Sequence, residues 1–137
     1  MRRVVVDANV FLSFIVHRNE KQRDAAKALL AKAEDGDLVA ILPQFVVFEV
    51  AYVLQSAYDL RNEQLAPLIR DLVALPGVQI TDECPWRRVF EVWPRPLPSL
   101  ADASIVAAAM ANGYEAVATF DRKLANRLQS FGLTAYW

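Results

Sequence analysis

Val4-Val5-Val6-Asp7-Ala8-Asn9-Val10 places a carboxylate directly after three β-branched residues. The valines predict a short strand that is buried on both faces, as the strands of a parallel sheet are. Asp7 would then lie at the carboxyl end of that strand, where open α/β sheets bind their ligands. Because a desolvated carboxylate without a partner is costly, the rest of the chain is expected to supply what Asp7 faces.

Strands and helices are predicted to alternate along the 137 residues. Short apolar runs predict strands at 3–6, 38–42, 78–80, 116–119 and 134–136. The segment 9–16 is expected to be a short helix or a loop, and a longer helix follows the charged run 18–24 and ends at Gly36. Further helices are predicted from Pro43 to about 58, and over 63–75, 85–93, 100–112 and 121–131. This order predicts a single domain, residues 1–137, of the α/β class, with a parallel sheet that has helices on both faces.

Composition excludes several classes of protein. A net charge of −1 provides no overall positive field for nucleic acid, so a polyanion would have to bind a local patch. The single cysteine, Cys84, excludes an internal disulfide and a cysteine-based zinc site. No signal peptide and no membrane-spanning run is recognisable. We therefore expect a cytoplasmic protein that does not bind membranes.

Three further acidic residues stand alone in apolar surroundings. Glu49 is the only charged residue between positions 37 and 59, and Asp102 is the only one between positions 95 and 115. Asp121 follows the strand predicted at 116–119. The helix around Glu49 is apolar nearly all round and is therefore expected to be buried.

Each acid also has a purely structural interpretation. Glu49 could face an exposed turn of its helix or form a buried ion pair. Asp102 lies three residues after Ser99, which is the spacing of a capping box in the first turn of a helix. Asp121 is placed as an N-cap, and Asp7 could cap a helix as well. One at a time, these acids do not decide between a cap and a functional site.

Taken together, the four acids indicate a metal site. Asp7 and Asp121 end parallel strands and so share one edge of the sheet, and the helices of Glu49 and Asp102 follow loops at that edge. Four converging carboxylates repel one another, and a bound divalent cation removes that repulsion. Ligand sets made only of oxygen favour Mg²⁺ or Mn²⁺ over Zn²⁺, and such sites serve phosphodiester hydrolysis.

Four short motifs occur in order along the whole chain. They are Asp7-Ala8-Asn9, Phe48-Glu49-Val50, Leu100-Ala101-Asp102 leading into the small-residue run 105–109, and Thr119-Phe120-Asp121 with Leu124. Together they resemble the motifs of the PIN-domain nucleases, and among these the VapC-type toxins of prokaryotic toxin–antitoxin pairs.

The resemblance implies a three-layer PIN-like α/β domain with a mainly parallel central sheet and helices on both faces. It also implies a Mg²⁺- or Mn²⁺-dependent endoribonuclease whose catalytic and metal-binding acids are the four residues Asp7, Glu49, Asp102 and Asp121. Asn9 and Thr119 occupy motif positions that would orient these ligands. The implied partners are an RNA substrate, an antitoxin protein that covers the site, and a second copy of the chain.

Two arginines and a group of apolar residues are candidates for contacts with RNA and with another protein. Arg95, in the proline-rich loop, and Arg122, beside the last acid, are candidates for contacts with RNA phosphates. Six apolar residues exceed what the core should need and suggest a protein interface: Phe11, Phe14, Ile15, Val46, Val47 and Val53.

Other interpretations remain open at the level of sequence. A PIN-like protein could process RNA without being a toxin, or could be a catalytically silent scaffold that binds RNA or protein. A phosphatase or a receiver domain would also place an aspartate at a strand end. The phosphatase pattern requires a second aspartate where Asn9 stands, and no suitable lysine for a receiver is found near the last strands.

Overall fold

Five strands form one sheet in the computed structural model, which describes all residues from Met1 to Trp137. The strands are β1 (Arg2–Val6), β2 (Leu38–Pro43), β3 (Val78–Thr81), β4 (Ala116–Ala118) and β5 (Thr134–Ala135). Their order across the sheet is β3-β2-β1-β4-β5, and every neighbouring pair is parallel. The predicted parallel sheet is therefore confirmed.

Seven α-helices connect and cover the strands. They are α1 (Ala8–Ile15), α2 (Glu20–Glu34), α3 (Gln44–Ser56), α4 (Asn62–Val73), α5 (Trp86–Val92), α6 (Leu100–Asn112) and α7 (Arg122–Arg127), the last continued by a 3₁₀ turn (Leu128–Phe131). The predicted α/β class with helices around a central sheet is confirmed. No helix has the length and apolar character needed to cross a membrane.

The centre of the core is β1. Val4, Val5 and Val6 have no exposed surface, because helices cover both faces of this strand. Helix α6 packs against β1 and β4 and is buried continuously over residues 103–109. Its small residues let the helix approach the sheet closely, which brings the start of α6 beside the ends of these two strands.

The direction of winding changes between β1 and β4. From β1 the chain moves to β2 and β3 on one side, and the last two strands are added on the other side. The two strands are joined at their carboxyl ends, where the amide of Asp7 donates to the carbonyl of Ala118 at 2.9 Å. This is the switch point of an open α/β sheet, the usual place for a ligand.

Two predicted elements need correction around Pro43. This residue ends β2, where it pairs with Thr81, and the helix begins only at Gln44. Pro43 has φ −63° and ψ 144°, so its backbone is extended, and a proline at a strand end sacrifices no ladder hydrogen bond inside the strand.

The expectation that α3 is buried nearly all round is wrong. Val46, Val50 and Leu54 form its buried face, whereas Phe48 and Tyr52 are each 70% exposed. The helix lies on the outside of the sheet and fully buries one stripe only, while its flanking apolar residues are half-buried and these two aromatic side chains meet solvent.

Candidate functional site

Asp7 lies at the carboxyl end of β1 and is 6% exposed. It also caps α1, since its Oδ1 accepts a hydrogen bond from the amide of Ala8 at 2.8 Å. Its Oδ2 accepts from the hydroxyl of Thr119 at 2.8 Å and from the amide nitrogen of Asn9 at 3.3 Å. Burial raises the pKa of Asp7, the hydrogen bonds from Thr119 and Ala8 oppose the rise, and the charge of Asp121 adds to it.

Asn9 and Thr119 tie the ends of β1 and β4 together. Nδ2 of Asn9 donates to the hydroxyl of Thr119 at 3.2 Å, and its Oδ1 accepts from the amide of Phe120 at 3.0 Å. The same hydroxyl accepts from the amide of Asp121 at 3.1 Å. The two residues that the resemblance marked as orienting groups therefore contact Asp7 directly and hold the turn that carries Asp121.

Asp121 is the N-cap of α7, as its structural interpretation predicted. Its Oδ1 accepts from the amides of Lys123 at 3.0 Å and Leu124 at 3.4 Å. No hydrogen bond within the chain uses its other carboxylate oxygen. A cap and a site residue are compatible here, because each function needs only one of the two oxygens.

Asp102 lies in the first turn of α6, where its amide donates to the hydroxyl of the N-cap Ser99 at 3.2 Å. The carboxylate makes no hydrogen bond or ion pair. The pKa of Asp102 is raised to about 6, mainly by burial and also by the charges of Asp7 and Asp121, while Arg127 opposes the rise. The cap fixes the position of this residue and leaves its carboxylate free.

Glu49 projects from α3 and is half-buried. Glu49 does not form a buried ion pair, because the one ion pair in the chain joins Arg88 and Glu91. Its other structural interpretation, an exposed turn of the helix, applies only in part because the side chain is half-buried. Burial and, to a smaller extent, the charges of Asp7 and Asp102 together raise the pKa of Glu49 to about 7.

The four acids thus form one electrostatic cluster, which we call the acid cluster: Asp7, Glu49, Asp102 and Asp121. Asp7 and Asp121 follow the ends of β1 and β4, Asp102 lies in the first turn of α6, and Glu49 lies in the second turn of α3. The charge of at least one other member raises the pKa of Asp7, Glu49 and Asp102. Because the pKa of three members is raised, keeping all four acids ionised costs the folded state free energy.

One arginine at the site was not singled out by the sequence. Arg127 lines a cavity of about 170 Å³ together with Asp102 and Asp121, and its guanidinium donates to the carbonyl of Pro96. In the sequence it groups with other basic residues of a surface helix. Only the position of the proline-rich loop reveals that it faces the acids, so no local signal could have identified it.

The two predicted RNA contacts lie in different places. Arg122 is exposed and lines a second cavity with Thr119, next to the acid cluster. Arg95 is exposed in the proline-rich loop and has no hydrogen bond or ion pair to the acids. Its contact with RNA stays a prediction.

The donors at the site suit a hard divalent cation. They are carboxylates with a neighbouring hydroxyl and amide oxygen, without nitrogen or sulfur ligands, which favours Mg²⁺ or Mn²⁺. As the side chains stand, no three acidic, histidine or cysteine residues are close enough to hold an ion. The fit therefore rests on the kind of donor and on the mutual repulsion of the acids, and the side chains would have to move inward around an ion.

Comparisons with solved structures identify the same fold. VapBC2 from Rickettsia felis, solved with a DNA fragment from its promoter, is similar with a TM-score of 0.69 over 98% of both chains at 13% identity. VapC20 of Mycobacterium tuberculosis, a sarcin–ricin loop cleaving toxin, has a TM-score of 0.67 at 16% identity and covers 90% of this chain and 93% of its own. No curated protein matches the sequence significantly.

The sequence profile of the PIN domain matches residues 4–127, a span that contains the whole acid cluster. Together with the structural neighbours, this match confirms the resemblance and supports a nuclease over a phosphatase or a receiver domain. The chain belongs to the PIN-domain family.

Proposed function

We propose that this protein is a divalent-metal-dependent endoribonuclease and the toxin of a toxin–antitoxin pair. The observation that carries the proposal is the acid cluster at the switch point between β1 and β4, with the pKa of three members raised. The toxin part rests on the likeness to VapBC2 and VapC20.

Asp7, Asp102 and Asp121 would hold the ion, and Glu49 would either join them or orient the attacking water. Mg²⁺ or Mn²⁺, when bound, would supply Lewis-acid activation of the scissile phosphate and of water. The oxygen-only donors of the cluster support this assignment, and so does the lack of an ion pair to any of its four carboxylates.

The protein groups around the ion would have separate tasks. Thr119 and Asn9 keep Asp7 in one orientation through their hydrogen bonds to its Oδ2. Glu49, with a pKa of about 7, is suited to accept the proton of an attacking water near neutral pH. Arg127 places a positive charge beside Asp102, where it can contact the phosphate of a bound RNA.

Two alternative functions differ from this proposal, one in the RNA that is cleaved and the other in having no cleavage at all. A non-toxin nuclease would use the same acid cluster but cut a processing site without arresting growth. A silent scaffold would bind RNA or protein without hydrolysis, and the completeness of the cluster argues against it.

The partners we propose are a small antitoxin and a second copy of the chain. Of the six apolar residues suggested by sequence, Phe11 and Val46 belong to the core instead, because α1 and α3 bury them against the sheet. The other four, Phe14, Ile15, Val47 and Val53, are half-buried against the core. The exposed apolar side chains of α3 are instead Phe48 and Tyr52, which the sequence did not suggest. Exposed aromatic residues of this kind are common in protein interfaces.

Cleavage of RNA tests the proposed function. The purified protein should cut single-stranded RNA with Mn²⁺ or Mg²⁺ and stop with a chelator. Asp7→Asn should reduce the rate by more than about 100-fold, since losing a ligand costs more than losing a supporting residue. Asn keeps the oxygen that caps α1, so the fold should persist in a thermal melt.

Asp24→Asn is the matched control, because Asp24 is an exposed acid on α2 outside the acid cluster. Its rate should equal that of the unmodified protein. Equal cleavage by Asp7→Asn, or cleavage that persists with chelator, would show that the acid cluster is not the active site.

A further inference from the structure

A cavity of about 460 Å³ opens beside the acid cluster on the side of α2 and α7. Seven residues line it: Lys21, Gln22, Ala25, Thr119, Phe120, Arg122 and Trp137. Its volume lies within the roughly 300–1,000 Å³ of typical ligand sites. Thr119 is shared between this cavity and the acid cluster, since its hydroxyl donates to Asp7. A ligand in the cavity would therefore lie next to the place where the chemistry is proposed.

An aromatic surface forms one wall of the cavity. The ring of Trp137 stacks on that of Phe120 with 4.7 Å between centroids and an angle of 17° between the planes. Trp137 remains 38% exposed although Phe120 covers one of its faces. A flat indole with part of its surface open is the kind of side chain on which unpaired bases stack.

Several contacts keep this indole in place. The ring of Tyr136 meets Trp137 edge-on at 5.2 Å, and the amide of Tyr136 donates to the carbonyl of Val117 in β4 at 2.9 Å. The guanidinium of Arg2 lies 5.1 Å from the centre of the Tyr136 ring. The aromatic wall is thus preorganised, which reduces the entropy that a ligand must overcome.

Two cations face the same space. Lys21 on α2 and Arg122 at the start of α7 are both exposed and line the cavity, and neither has an ion-pair partner. The chain as a whole carries a net charge of −1, so this local pair contrasts with the overall charge and with the acid cluster next to it. Cations beside an aromatic surface suit a phosphate backbone and its bases.

We propose that this cavity binds one unpaired nucleotide of RNA beside the scissile phosphate, with its base stacked on Trp137 and its phosphates contacting Lys21 and Arg122. This inference rests on the proposed function for the identity of the polymer. The base must come from a single strand, because a base inside a duplex is stacked between its neighbours and offers no free face to the indole. A peptide segment of a protein partner is the competing occupant, but two cations and an exposed aromatic ring in one cavity suit a nucleotide better.

Binding of a labelled single-stranded RNA of about ten nucleotides tests the stacking step. The measurement is fluorescence anisotropy in the Asp7→Asn background, where the RNA should stay intact. Trp137→Ala should weaken binding by about 5- to 150-fold, the effect of losing one stacked base. Trp137→Phe should restore most of the affinity, because a phenyl ring still stacks and still packs on Phe120.

Trp86→Ala is the matched control, since Trp86 is an exposed tryptophan on α5 that does not line the cavity. Its binding should be unchanged. An RNA with a single abasic site at the stacked nucleotide should bind the unmodified chain as weakly as Trp137→Ala binds intact RNA, and the two changes together should add nothing further. The unmodified protein and Trp137→Ala should bind a duplex of the same sequence with equal affinity.

The salt dependence of binding tests the phosphate contacts without disturbing the fold. Lys21→Gln and Arg122→Gln should each reduce the slope of log K against log salt by about 0.7 per lost contact with a single strand. Lys32→Gln, an exposed change near the far end of α2, should leave the slope as it is.

The outcomes separate this inference from the proposed function. If the protein cleaves RNA but Trp137→Ala binds it as well as Trp86→Ala does, the cavity does not hold a nucleotide. The same conclusion follows if Trp137→Phe binds as poorly as Trp137→Ala, or if duplex is weakened equally. If cleavage fails while these binding differences appear, the proposed nuclease activity is wrong and the nucleotide site stands.

Discussion

Asp7 and Asp121 each cap a helix and each carry a charge that raises the pKa of another acid in the cluster. One oxygen of each carboxylate caps a helix, and the other oxygen of Asp7 is held by Thr119. Both residues nevertheless raise the pKa of Asp102, so capping does not neutralise their charge. A residue chosen only to cap a helix could equally be asparagine or serine. We therefore propose that the charge serves the metal site in addition to the cap.

Asp121→Asn separates the two duties. Asn can still cap α7, and losing the charge relieves the repulsion from Asp7 and Asp102. With chelator, the melting temperature should rise by about 3–5 °C, which corresponds to about 1 kcal/mol in a domain of this size. With Mn²⁺ the unmodified protein should gain about 2.7 kcal/mol at a hundredfold excess over its dissociation constant. The variant should gain much less.

Asp24→Asn serves as the control for a lost surface charge, because Asp24 lies outside the acid cluster. Its melt should match that of the unmodified protein in both conditions. If Asp121→Asn melts like this control with chelator and with Mn²⁺, Asp121 is only a helix cap.

Individual site residues were predictable from sequence where they stood alone. Asp7, Glu49 and Asp102 could be found because each is a single charge in an apolar segment, and the position of Asp121 follows from the strand before it. Arg127 and Trp137 could not be found in this way. Their proposed roles depend on contacts between residues distant in sequence. Arg127 donates to the carbonyl of Pro96 in the proline-rich loop, and Trp137 stacks on Phe120.

At the scale of elements, helix α3 has an exposed aromatic face that does not pack against any other part of the core. Phe48 and Tyr52 lie one turn apart and are each 70% exposed. We expect this face to contribute to self-association of the chain. Sedimentation velocity at micromolar concentration should show a dimer, and Phe48→Ser with Tyr52→Ser should shift it to monomer.

Phe90→Ser is the control for loss of an exposed aromatic ring elsewhere, since Phe90 on α5 is 62% exposed. It should leave the dimer unchanged. A monomeric unmodified protein, or a dimer that persists in the double variant, would remove α3 from the interface.

Most elements were predictable because their ends carry local signals. Gly36 and Gly113 follow helices, and the apolar runs of β1 and β2 are buried as expected. The errors arose where tertiary packing decides. Pro43 suits the first turn of a helix and the end of a strand equally, and only pairing with Thr81 decides between them. An apolar helix such as α3 does not reveal from its sequence that one face lies in solvent.

At the scale of the whole molecule, the acid cluster makes the metal-free fold sensitive to pH. Glu49 has a pKa of about 7 against an ordinary 4.5, and Asp102 has a pKa of about 6 against an ordinary 3.8. Between these values the folded chain holds more protons than the unfolded chain, so its stability falls as the pH rises. The stability gained from the protons that Glu49 and Asp102 hold in the folded state should be lost by about pH 7–8.

Urea unfolding with chelator should therefore show a decrease in the free energy of unfolding between about pH 5 and 8. Glu49→Gln should reduce the decrease by about 1 kcal/mol, a value discounted because the side chain is half-exposed. With saturating Mn²⁺ the trend should reverse, because an ion competes with protons for the same oxygens. Stability of the chelated protein that is flat over this range would contradict the repulsion. That residues 1–137 unfold as one domain stays a prediction that the same curves can check.

Titration calorimetry of Mn²⁺ tests most directly whether the acid cluster binds a divalent cation. Near pH 6.5 the unmodified protein should show saturable binding that releases protons, because Glu49 and Asp102 are then partly protonated. Proton release is read by comparing two buffers with different enthalpies of ionisation. Asp102→Asn should weaken binding more than about tenfold and release fewer protons, while Asp24→Asn should leave both unchanged. Equal binding of Mn²⁺ by the unmodified protein and Asp102→Asn, or no binding by either, would contradict the metal site.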